Sequence, residues 1–70
     1  MIAEIIINTT AKRLQQTFTY AIPQEMNVHV GSRVLVPFGR RQEEGMVIAV
    51  HEGNGEHLSF TIKPIVAVLS

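Results

Sequence analysis

The 70-residue sequence has no cysteine, which excludes a disulfide framework and a thiolate metal site and leaves redox chemistry without a reagent. It also lacks net charge. Six basic side chains cancel six acidic ones, so there is no global positive field to hold a long duplex through many phosphates, and any nucleic-acid contact must be local. Long apolar runs are missing too: the opening Met-Ile-Ala-Glu-Ile-Ile-Ile-Asn meets a glutamate at once and has neither a basic lead-in nor a small-residue cleavage site. It reads as neither a signal peptide nor a membrane span. The catalytic motifs GxxxxGK[ST], GxGxxG, HExxH and GxSxG are all absent. The histidines His29, His51 and His57 fall in expected turn regions without metal-ligand spacing and read as solvated loop side chains. Glu43-Glu44 beside Arg40-Arg41 reads as an exposed, mutually compensating turn and not as an acid/base pair. Nothing here supports an enzyme.

What the sequence does contain is a series of short Ile- and Val-rich runs separated by turn residues, the pattern of strands. Residues 2–7 form the first and end at Asn8-Thr9-Thr10, whose short polar side chains favour a turn. In Thr17-Phe18-Thr19-Tyr20-Ala21 hydroxyl and aromatic residues alternate, which puts Phe18 and Tyr20 on one face and the threonines on the other. Gly31-Ser32 turns into a strand over residues 33–37, which Pro37 ends or confines to an edge. Residues 38–44 read as a polar connection, and residues 45–50, apolar on both faces, as the most buried strand. Glu52-Gly53-Asn54-Gly55-Glu56 is a glycine turn before two further strands, residues 58–62 and 65–69. About six short strands in a chain of this length are expected to close into an all-β OB- or SH3-like barrel or roll, since an open sheet would leave unpaired edges.

The order of features is itself informative. Phe18-x-Tyr20 comes first, then Gly31-Ser32-Arg33-Val34-Leu35-Val36-Pro37-Phe38-Gly39-Arg40, then Gly45-Met46-Val47, then Lys63 ahead of a last apolar run. This order resembles the N-terminal domain of PriA-type replication-restart helicases, also called primosomal protein N′, from end to end of the chain. Its most specific element is G-x-R-V-x-V-P-F-G at residues 31–39.

The resemblance implies a single domain over residues 1–70, the N-terminal part of a larger bacterial, cytoplasmic helicase. That domain would bind the terminal nucleotide of a 3′ end at an arrested fork. Its pocket would be lined by Phe18, Thr19 and Tyr20 on one side and closed by Gly39 and Lys63 on the other, with Arg40 favoured over Arg33 as a phosphate contact. Aromatic rings pack on a base or sugar of any identity, a glycine lets a ligand approach the main chain, and lysine offers a point charge. Many members of the family carry aspartate where this chain has Thr19. No cofactor is expected in this segment, whereas the resemblance implies ATP, Mg and structural zinc for the parent helicase. Its expected partners are DNA with a free 3′ end at branched forks, the parent helicase core and primosome proteins. Two other functions fit the residues alone: an SH3-like or KOW-type barrel binding RNA or ribosomal protein, and a structural interaction domain.

Overall fold

A computed structural model describes residues 1–7, 17–53, 55 and 61–70. The branched and aromatic runs become five strands: β1 (Ile2–Ile7), β2 (Thr17–Ala21), β3 (Arg33–Phe38), β4 (Arg41–His51) and β5 (Ala67–Val68). They form one sheet in the order β2-β1-β4-β3-β5, with every neighbouring pair antiparallel. The described residues contain no helix.

The sheet rolls up because one segment serves both of its edges. The Ala21 amide donates to the Lys63 carbonyl (2.9 Å) and the Ile65 amide to the Ala21 carbonyl (3.0 Å), forming a parallel bridge between Ala21 and Pro64. One residue further on, the Val66 amide donates to the Leu35 carbonyl on β3 (2.8 Å). Residues 63–66 therefore tie β2 to β3 and close a barrel-like roll, which removes both edges at that level. The interior holds Ala3, Ile5, Ile7, Tyr20, Val34, Val36, Val47 and Ile65, with Phe18 and Phe38 packed against them. Burying the side chains of this core is the main favourable term in so short a chain.

β4 differs from expectation in two ways. It begins at Arg41, because the β3–β4 connection is only Gly39-Arg40 and residues 41–44 pair back against residues 35–38. Gly39 has φ 62° while Arg40 does not reach positive φ, the signature of a type II′ hairpin turn with glycine first. It is also not the most buried strand: Met46 and Ile48 are 50% and 40% exposed, since among the described residues no second layer covers the outer face of the sheet. Ile48 is the extra residue of a β-bulge opposite Glu4 and Ile5. The bulge shifts the alternation so that Val47 and Val50 both pack toward the core. His51 ends this strand instead of lying in a turn.

Gly45 is fixed by packing. A Cβ there would lie 2.5 Å from Ile5 Cγ2 and 2.8 Å from the Ile6 carbonyl oxygen, so no side chain fits between β4 and β1. The last apolar run forms the short β5 after the bridge at Pro64. Of the strand expected over residues 58–62, residues 58–60 lie outside the described residues, as does His57.

Candidate functional site at the β2 edge

β2 presents two different faces. Its register with β1 pairs Phe18 with Ile5, Thr19 with Glu4 and Tyr20 with Ala3. The alternation turns Phe18 and Tyr20 inward over Ile5 and Ala3, and leaves Thr19 on the outer face with Glu4. Both rings then reach the end of β3. Phe18 meets Phe38 edge-to-face, with centroids 5.2 Å apart and planes at 82°. The Tyr20 hydroxyl donates to the Pro37 carbonyl at 2.7 Å. Burial pushes the Tyr20 hydroxyl above its ordinary pKa, which keeps it protonated as a donor. Tyr20 is therefore a core residue with a satisfied hydroxyl, whereas Phe18 is half-buried.

These two contacts hold β2 against the Pro37-Phe38-Gly39 corner. At that corner a Cβ on Gly39 would meet nothing within 4 Å, so the space above its main chain is open. Its positive φ nevertheless reserves the position for glycine. Arg40, next in the turn, is exposed. Lys63 is also exposed, and its carbonyl is anchored by the Ala21 amide one residue beyond Tyr20. Phe18 and Tyr20 thus contact Phe38 and Pro37, the residues that lead into the Gly39-Arg40 turn, and the Lys63 main chain borders β2 one residue beyond Tyr20, in the seam that residues 63–66 form between β2 and β3.

The main chain of β2 adds hydrogen-bonding capacity to that seam. Ala21 directs both its amide and its carbonyl away from β1, toward residues 63 and 65, while the Ile22 amide points to the Met1 carbonyl. By alternation the amide and carbonyl of Thr19 face the same side as those of Ala21. Glu4 and Thr19 consequently meet through side chains. The Thr19 hydroxyl donates to the Glu4 carboxylate, 3.0 Å from Oε1 and 3.2 Å from Oε2.

Arg33 is committed elsewhere. Its Nε donates to Glu44 Oε2 at 2.8 Å and its Nη2 lies 2.6 Å from the same oxygen, the cross-strand partnership that its position on β3 allows. Arg41 stands 3.7 Å from Glu43. Among the described residues no group of three or more His, Cys, Asp or Glu side chains is placed to hold a metal ion. No helix of the described residues is long and apolar enough to cross a membrane.

Sequence reasoning missed the Pro37 carbonyl and Glu4. The single acid in an apolar strand was the available signal for Glu4, but its partner depends on the β1–β2 register.

Two comparisons with known proteins bear on the site. The family model of the PriA 3′ DNA-binding domain (3′BD) matches residues 4–70. The chain is also 39% identical over 54 residues to the replication restart protein PriA of Bacillus subtilis (strain 168). That alignment covers 74% of this chain and 7% of the relative, so the chain spans a small part of the relative's length.

Proposed function

The chain belongs to the PriA 3′ DNA-binding domain family, and from that premise we propose that it captures the terminal nucleotide of a DNA strand ending in a free 3′-hydroxyl. What supports this reading is the contact of Phe18 with Phe38 and of Tyr20 with Pro37, just before Gly39, together with the Lys63 main chain bonded beside Tyr20 at Ala21, in an otherwise charge-balanced barrel. A neutral module gains little from a long phosphate track, so a local pocket is the arrangement its charge supports.

The roles follow from the geometry. The half-buried Phe18 ring offers a platform for a base or sugar, a contact indifferent to base identity. Tyr20 backs that platform from the core and holds it to β3. Thr19 contributes its main chain, because its hydroxyl is turned to the other face. An amide and a carbonyl side by side suit a hydroxyl, which both accepts and donates, better than a phosphate, which only accepts. The open space over Gly39 admits the nucleotide, and Lys63 and Arg40 supply positive charge for its phosphate. Threonine in place of the aspartate common in the family leaves these main-chain groups in place.

In this reading the chain is the end-binding part of a longer replication-restart helicase in the bacterial cytoplasm, acting at branched forks together with the helicase core and primosome proteins. The ATP, Mg and zinc of such a parent would be held outside this segment.

The test is a fluorescence titration at fixed salt with two oligonucleotides that differ only at the terminus, one a 3′-hydroxyl and one a 3′-phosphate. Tighter binding of the hydroxyl end is expected. Equal affinity refutes end capture.

A further inference from the structure

We propose that Glu4 is a positioning residue for the 3′ end, acting through the Thr19 hydroxyl to fix the peptide that faces the terminal nucleotide. The inference rests on the end-capture reading above.

Glu4 lies on β1, on the sheet face opposite Phe18 and Tyr20, and touches no group assigned to the ligand. Yet its carboxylate is half-buried and receives the Thr19 hydroxyl on both oxygens. Thr19 sits between the two aromatic residues, and its own main chain faces the seam. Rotation of the peptides on either side of Thr19 about the strand axis would move the amide–carbonyl pair, the contact that tells a hydroxyl from a phosphate. The inner side of that segment is held by the contacts of Phe18 with Phe38 and of Tyr20 with Pro37. The Glu4–Thr19 bond holds the outer side. Because Glu4 and Thr19 are a pair without mutual main-chain bonds, the side-chain link is what joins β1 to β2 at this level. On the β4 side, His51 Nε2 lies 4.0 Å from Glu4 Oε2 and borders the carboxylate.

A link that only stabilised the barrel would, when cut, weaken binding to every DNA end alike. A positioning link affects the discriminating contact. The test therefore measures affinity of the 70-residue chain for hydroxyl- and phosphate-terminated oligonucleotides, with thermal unfolding of each variant alongside. Thr19→Val, which keeps the shape and removes the hydroxyl, and Glu4→Ala are each expected to weaken hydroxyl-end binding about three- to tenfold while leaving phosphate-end binding within about twofold. Thr19→Ser and Glu4→Gln, which retain a donor and an acceptor, should bind as wild type does. The Glu4→Ala/Thr19→Val double variant should be no weaker than either single one, because both cut the same bond.

The proposal is overturned if Thr19→Val and Glu4→Ala retain the wild-type preference for hydroxyl ends, or lose affinity for both ends equally. It is also overturned if Glu4→Gln and Thr19→Ser are as impaired as the truncations. A wild-type chain with no preference defeats the end-capture reading itself, a result distinct from preference that survives loss of the bond.

Discussion

Replacing Tyr20 with phenylalanine isolates one atom of the contact that holds β2 to the end of β3. The ring stays in the core, and only the donor to the Pro37 carbonyl at 2.7 Å is lost. A neutral hydrogen bond of this kind contributes about 1 kcal/mol net, and for a domain of this size that is a fall in Tm of about 4–8 °C. The same hydroxyl makes a second, pH-resolved prediction. Burial raises its pKa above the ordinary 10.0, so the folded chain keeps the proton where the unfolded chain begins to lose it. Stability from this group is complete below pH 10 and declines as pH climbs from there through the folded value, since the unfolded state binds fewer protons in that window. Thermal melts followed by circular dichroism from neutral pH upward should show wild type losing its advantage over Tyr20→Phe above pH 10. Equal Tm values at neutral pH, or a gap that widens with alkalinity, would refute the role assigned to this hydroxyl.

Gly45→Ala should destabilise by about 1–3 kcal/mol, because the new methyl meets the Ile6 backbone carbonyl as well as the more adaptable Ile5 side chain; a chemical denaturation midpoint equal to that of wild type would mean β1 and β4 separate without cost. Lys63→Ala should weaken DNA-end binding with an unchanged Tm, since only the carbonyl of this residue takes part in closing the barrel. Arg33→Gln, by contrast, should leave binding intact and cost less than about 1 kcal/mol, because its exposed charge is already paired with Glu44. Parallel titrations at fixed salt compare the two, and greater loss of affinity in Arg33→Gln than in Lys63→Ala would reverse the assignment of the phosphate contact.

The strands were legible where alternation was strict. Thr17-Phe18-Thr19-Tyr20 sorts its own faces, and the structure keeps that division, with both rings inward and the Thr19 hydroxyl outward. β4 was harder, for a physical reason. Arg41 to Glu44 look like loop residues one by one, but a two-residue turn at Gly39-Arg40 commits them to pair with β3, with Gln42 and Glu44 on the outer face and Arg41 and Glu43 on the face of Phe38 and Val36 near the end of the strand. The exposure of Met46 and Ile48 was illegible because apolarity on both sides of a strand does not say whether a second layer exists to cover it. At the site, the order of motifs named Phe18, Tyr20, Gly39 and Lys63. The links between them depend on register and closure, which no local pattern encodes: Tyr20 to Pro37, Thr19 to Glu4, and Ala21 to residues 63 and 65.

The seam formed by residues 63–66 carries a thermodynamic consequence. A segment that pairs with β2 through Lys63 and Ile65, and with β3 through Val66, opens only by giving up bonds on both sides. Opening of that seam and departure of anything held beside Lys63 are therefore coupled equilibria: a ligand that favours the closed roll lowers the population of the open one by the same factor that closure raises its affinity. The amides of Ala21, Ile65 and Val66 are the hydrogens whose exchange with solvent would register that coupling.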